Sequence, residues 1–157
     1  MRLERTHNME VVEYVLNHPT VVGSLTDSES WNHIQDVPSL HFMAVLGDDN
    51  ELFGLFVLGP HNSITVSVHS AFLPNAYGRS TLQASKLLLD YVFNDMEQEK
   101  VITEVPAFNH LARGFAQNSG LKLEGTMTKA YKHKDIVYDL YMYGITKEEY
   151  TCLQSPS

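Results

Sequence analysis

The chain of 157 residues has one cysteine, one tryptophan and a deficit of positive charge: 11 Lys and Arg stand against 19 Asp and Glu, a formal net charge of −8. Each shortage excludes something. A single Cys152 allows no internal disulfide, which points to a reducing compartment, and we expect a cytoplasmic protein. A negative balance argues against a general nucleic-acid binder, which needs a basic face. No apolar run approaches 18 residues, so no helix is expected to span a membrane, and the residues after Met1-Arg-Leu-Glu-Arg5 lack the apolar core of a signal peptide. No Cys-x-x-Cys or His-Glu-x-x-His spacing occurs, and the eight histidines are scattered, so no metal site is expected.

What remains is an ordinary globular composition, 43% hydrophobic and 19% charged, at a length that suits one domain with one sizeable core. Met9, Val12, Val15 and Leu16 share a helical face, and Asn17-His18-Pro19 interrupts or ends that helix. Residues 23–39 are polar and turn-rich. Three strands are then expected: His41–Leu46, Leu52–Leu58 and Ile64–Leu73, separated by Gly47-Asp-Asp-Asn50 and by Gly59-Pro60-His61-Asn62. The third alternates, with Ile64, Val66 and Val68 on one face and Thr65, Ser67 and His69 on the other.

After Pro74, the segment Asn75 to Thr81 opens a helix whose apolar positions are Leu82, Leu87, Leu88, Leu89, Val92 and Phe93. Val101–Phe108 is apolar on both faces, as a central parallel strand requires. A short helix, Leu111–Asn118, is expected to stop at Gly120, and Lys122–Tyr131 and Ile136–Tyr143 form a last pair of strands. The order is helix, three strands, helix, strand, helix, two strands: one α/β domain over residues 1–150 with a mixed sheet, and a short tail over 151–157.

The strand–loop–helix unit at Pro74 to Thr81 suits an anion. A helix N-terminus offers free backbone N–H groups and positive dipole potential. Gly78 lets the backbone approach a phosphate closely, Arg79 adds a cation, and Ser80 and Thr81 add hydroxyls. The same residues also read as a plain helix start capped by Ser80 or Thr81. Asn109 offers both a donor and an acceptor, and also suits a helix cap. Glu104 is the only charge inside the apolar run Val101 to Phe108, where burial would raise its pKa.

Asn109, Ala112, Gly120-Leu121, Glu124-Gly125 and Asp139 to Ile145 together resemble the second half of the GNAT superfamily of acyl-CoA-dependent N-acyltransferases. They are most similar to the branch that acetylates N-terminal amines of ribosomal proteins. The resemblance covers roughly residues 64–150 in its motifs, with a phosphate loop one residue short and its second glycine replaced by Ser80 or Thr81. It implies a GNAT-like domain whose central strands splay, with acetyl-CoA as co-substrate and no metal. Acetyl would pass directly to a primary amine of a protein or small molecule. Gly78, Arg79, Ser80 and Thr81 would hold the pyrophosphate and Asn109 the pantetheine arm. A backbone N–H near Phe72 or Leu73 would face the acyl carbonyl.

The resemblance also places His69 or Glu104 as the general base, with His110 and His41 as weaker candidates and a water chain as a third option. Trp31 and His33 would line the acceptor pocket, and a monomer or homodimer is expected. Many family members carry a Tyr that protonates the departing sulfur at the position of Ala116. Because a thiol has a pKa near 8.5, thiolate departure without that Tyr is tolerable. The alternative is a non-catalytic protein of this fold that binds CoA or a protein partner.

Overall fold

The computed structural model describes residues 1–22 and 34–156. A seven-stranded sheet runs through them in the order β1-β2-β3-β4-β5-β7-β6. The strands are β1 (Arg2–Arg5), β2 (His41–Leu46), β3 (Leu52–Pro60), β4 (Thr65–Phe72), β5 (Lys100–Pro106), β6 (Lys122–His133) and β7 (Ile136–Thr146). Every neighbouring pair is antiparallel except β4 and β5. The expected mixed α/β sheet, flanked by helices, is thus the observed one.

Helix α1 (Met9–Leu16) starts at Asn8, whose side chain accepts the Glu10 N–H. Its buried stripe of Val12, Val15 and Leu16 packs on one face of the sheet, against Phe42, Leu55, Ala71 and Leu73. The opposite face carries α2 (Arg79–Asp90), which continues as a wider π turn through Tyr91–Asp95, and α3 (His110–Asn118). There Ala84, Leu88, Leu89, Val92 and Phe93 from α2 and its extension meet Val66, Val68, Val101, Val105 and Tyr143. Leu82, expected on the apolar side of α2, is 40% exposed, and Ala84 and Ser85 take the inward positions instead.

Two elements lie outside the expected order. β1 is short and mostly charged, with Leu3 alone packing inward, so it carries no alternation strong enough to read. Helix α4 (Lys147–Gln154) begins at a reciprocal capping box, in which the Thr146 hydroxyl accepts the Glu149 N–H and the Glu149 carboxylate accepts the Thr146 N–H. Its Tyr150 lies 5.5 Å from the Phe93 ring and donates to the Asp90 carboxylate. The boundary expected after residue 150 therefore falls inside a packed helix, and Cys152 sits exposed on it.

The motif residues of the last strands act on the sheet. Lys100 of β5 and Glu124 of β6 form an ion pair at 2.7 Å across the intervening β7. They meet over Gly144, where an added Cβ would collide with the Glu124 carboxylate. Asp139 caps a bulge in β6 by accepting the N–H of Lys129, which sits at φ 52°, and its carbonyl accepts the Ala107 N–H. Glu124 and Gly144 therefore fix strand geometry at the start of β5, and Asp139 does so just past its end.

Gly54 lets β3 and β4 approach closely: a Cβ there would collide with the Ala71 carbonyl oxygen. Backbone on both sides cannot yield as a side-chain tip can. Gly54→Ala is expected to destabilise the fold by about 1–3 kcal/mol, the usual range for overpacking. A denaturant midpoint equal to that of the native chain would show that β3 shifts freely.

Candidate active site

β4 and β5 pair over only three positions, Thr65 with Lys100, Val66 with Val101 and Ser67 with Ile102. Beyond them β4 runs five residues further and β5 four, each still paired on its outer side, β4 to β3 and β5 to β7. The two strands splay, and a cleft opens between them.

The inner part of the cleft is lined by Val68, His69, Ser70, Thr103, Glu104 and Val105 from the strands and by Asn109, Ala112, Phe115 and Ala116 from the α3 side. The outer part is lined by Phe72, Tyr77, Gly78, Thr81 and Leu111, with Thr20 and Val21 closing over it. Ser70, Asn109, Ala112 and Phe115 line both parts, so they form one passage from Gly78 to His69 and Glu104.

At the outer end the chain turns through Pro74–Ala76, extends at Tyr77, and enters α2 from Gly78 at φ 100° and ψ −133°. That backbone conformation favours glycine. No side chain caps the helix, and a Cβ at Gly78 would meet no atom within 4 Å. The expected cap at Ser80 or Thr81 is absent because the Thr81 hydroxyl instead donates to the Gly78 carbonyl at 2.7 Å. The Thr81 N–H also points to that carbonyl, at 3.3 Å, so the N–H groups offered outward are those of Gly78, Arg79 and Ser80.

Midway, the Asn109 side-chain oxygen accepts the Ala112 N–H at 3.1 Å and caps α3. Its amide NH₂ is left for the cleft. Phe72 closes one wall, packed edge-on between Phe56 at 5.4 Å and Phe115 at 5.3 Å. The backbone donors of β4 follow from ladder geometry. The Leu73 N–H donates to the Phe53 carbonyl, so Leu73 faces β3 and is not available to a ligand. Antiparallel strands alternate in this respect, so the N–H groups of Phe72 and Ser70 face the splay. Of the two backbone donors expected, only the Phe72 N–H faces the splay.

At the inner end, His69 shares the strand face of Ala71 and Leu73, which pack under α1. Glu104 alternates with Val101 and Val105, which pack under the other layer, so it lies on the α1 side as well. Burial lowers the His69 pKa from its ordinary 6.5, and the negative charge of Glu104 partly offsets that shift. His69 is therefore neutral near pH 7, with a carboxylate beside it. Ala116 is buried, with its methyl on the same cleft wall.

His110 is exposed at the start of α3, and His41 lies against Tyr91 in a separate hollow beside Leu58 and Met96; neither lines the passage. Trp31 and His33 lie outside the described residues. Ser70, Ala112 and Phe115 were not singled out as site residues. For Ala112 the signal was available, since a residue at i+3 from Asn109 shares its helix face, and Phe115 stands in the same relation to Ala112.

A parallel pair that splays beside an uncapped, glycine-led helix defines the GNAT fold. A spermidine N-acetyltransferase from Vibrio cholerae, solved in complex with CoA and spermine, superposes with a TM-score of 0.82 at 17% identity, over 95% of this chain and 96% of that one. A single-site mutant of the Vibrio cholerae spermidine N-acetyltransferase superposes at 0.82 and 18% identity, over 99% and 100%. A GNAT-family acetyltransferase from Bacillus anthracis superposes at 0.62 and 22% identity, over 70% and 67%. No curated protein matches in sequence. By sequence the chain belongs to the family described as "Protein of unknown function (DUF2824)", which matches residues 2–155. Among the described residues no helix is long and apolar enough to cross a membrane.

Asn109→Asp keeps the capping oxygen and is expected to hold the melting temperature, whereas Asn109→Ala should cost about 1 kcal/mol. Equal melting temperatures for all three chains would remove Asn109 from the capping role.

Proposed function

We propose that this protein is an N-acetyltransferase that moves an acetyl group from acetyl-CoA to a primary amine by direct attack. One observation carries this reading: a single passage joins the uncapped start of α2 to Asn109 and then to the His69–Glu104 pair. The residues fit a pantetheine nucleotide. The outward N–H groups of Gly78, Arg79 and Ser80, with the positive end of α2, suit a pyrophosphate. The Asn109 amide and the β4 edge at Ser70 and Phe72 offer donors along the length of the passage. When bound, acetyl-CoA supplies an activated acyl carbonyl.

The chain's own residues then do three things. The passage holds the reactants side by side, which removes much of the entropic barrier. His69, held neutral by burial, takes a proton from the amine, and Glu104 stabilises the imidazolium that forms. The Phe72 N–H faces the place where negative charge develops on the acyl oxygen. His69 is thus the base and Glu104 its tuning partner, and both line one cleft.

The acceptor is a primary amine. Spermidine and spermine are suggested by the folds this chain superposes on, and a protein N-terminus by the motifs of its last strands. The non-catalytic alternative rests on Ala116, which leaves no phenol at the wall where the family's Tyr would stand.

Saturating acetyl-CoA should raise the melting temperature, because a ligand that binds the native state alone stabilises it. Gly78→Val should abolish that rise while leaving the free chain folded. Turnover should appear with acetyl-CoA and one of spermidine, spermine or a set of amino-terminal peptides. Binding of CoA with no turnover on any of them would establish the non-catalytic alternative, and no binding at all would refute the reading.

The pH profile tests the base. Only unprotonated His69 can accept a proton, so a lowered pKa keeps it competent further into acid. The acid limb of kcat should therefore fall below pH 6.5. Glu104→Gln removes the charge that raises this pKa, so the limb should move to still lower pH. His69→Ala should lower kcat about 100-fold or more. A limb that does not move in Glu104→Gln would separate the two residues.

A further inference from the structure

Among the described residues one buried side-chain polar atom has no hydrogen-bond partner, the hydroxyl oxygen of Ser119. Leaving such a group unsatisfied costs about 1–3 kcal/mol, so its position calls for a reason. Ser119 stands one turn beyond Ala116 at the end of α3, and both residues line the inner cleft that holds His69 and Glu104. Ser85 of α2, 5% exposed, lines the same place from the facing helix. On the cleft side their neighbours are apolar, Phe56, Leu88, Leu89, Val101 and Leu121, and on the other side both serines border an open hollow with Lys86, Gln117 and Tyr150.

Two hydroxyls on facing walls of an apolar hollow make a water site, since a trapped water needs two to four polar partners and a roomy polar spot. The inner cleft, which Ala116 lines together with both serines, has room for water, with about 70 Å³ of open volume in all.

We propose that Ser119, with Ser85, holds a water in the space that Ala116 leaves open, and that this water is the hydrogen-bond donor to the departing sulfur. Ser119 is then a positioning residue, and the inference rests on the acetyltransferase reading above. The balance is complete without a further reactant. The amine nitrogen forms a bond to the acyl carbon, and the C–S bond breaks with its electron pair on sulfur. His69 takes the amine proton. The water donates a hydrogen bond to the sulfur as it acquires charge, and the proton taken from nitrogen returns through solvent to give the thiol. A donor of this kind need not be acidic, because a hydrogen bond to a charged acceptor is about twice as strong as a neutral one.

The test compares the native chain with Ser119→Ala, Ser119→Thr, Ala116→Tyr and the double variant Ser119→Ala/Ala116→Tyr. Acetyl-CoA is the donor, with spermine and the amino-terminal peptides as acceptors. Ser119→Ala should lower kcat on the order of 10-fold with the KM for acetyl-CoA unchanged. Ser119→Thr should recover most of that loss, and so should the double variant, because a phenol at position 116 supplies the donor directly.

Crystals of the free protein should show an ordered water on Ser119, absent in Ser119→Ala. Thermal melts establish that each variant is folded. If Ala116→Tyr fails to fold, the Thr variant and the water carry the test. An active native chain whose kcat is unchanged in Ser119→Ala overturns the inference alone. So does a loss that neither Thr nor Tyr recovers, or a dry hollow in the native crystal. A native chain that turns over none of the acceptors overturns both the inference and the reading beneath it.

Discussion

The separation of β4 from β5 after three paired residues governs everything else in this molecule. Breaking a sheet leaves backbone donors and acceptors unpaired, and buried unpaired groups are expensive. Here the cost is confined to the two inner edges. β4 stays bonded to β3 as far as Phe72 with Gly54, and β5 to β7 as far as Pro106 with Leu140. The gap is held open from one side by α3, whose Phe115 packs edge-on against Phe72. The unpaired edges are thereby turned into the walls of a passage, where their N–H and C=O groups can meet a ligand that itself carries amides.

The register of that short pairing also brings His69 and Glu104 together. Thr65 pairs with Lys100, and His69 and Glu104 each lie four residues further on. In an unbroken parallel sheet they would be neighbours on one face. Here both lie beyond the last paired residues, line the cleft that the splay opens, and stay on the α1 side. Each strand showed its residue plainly: a histidine on the polar face of one, and the lone charge inside the apolar run of the other. What the sequence could not show was that both count from the same pair, because a parallel register is set by tertiary packing. Two residues that the sequence offered as rivals thus line one cleft and act on each other electrostatically.

Other parts of the fold were legible for physical reasons, and others were hidden for equally physical ones. The apolar stripe of α1 predicted the observed burial, because that helix has one wet and one dry face. In β4 the alternation placed Val66 and Val68 correctly, but both faces of the strand are covered, so Thr65 is buried as well, and Ile64 just before it is exposed. Asn109 reads as a cap from its type and place, and it caps. α4 was missed even though Thr146 and Glu149 spell a capping box, since only one buried residue, Tyr150, marks its inner side. The Leu73 donor failed because backbone direction in a ladder alternates, and only the partner strand tells which phase applies. Glu124, Asp139 and Gly144 recur as motif residues, yet their contacts are with Lys100, Lys129 and Ala107. A motif can mark a site because it shapes the strands beside it.

Ala116 and Ser119 show how a site can change its chemistry along a single helix face. Three residues separate them, about 4.5 Å along the axis at 1.5 Å per residue, and both look into one cleft. A large side chain at 116 would fill the hollow and place its own polar tip there, leaving Ser119 walled in behind it. A methyl at 116 leaves the hollow open and gives the Ser119 hydroxyl something to face. The small residue and the orphaned hydroxyl are then one feature. An unsatisfied polar atom would be an unexplained cost in a chain whose other buried side-chain polar atoms, among the described residues, have partners. It becomes intelligible once the space beside it is taken as part of the site.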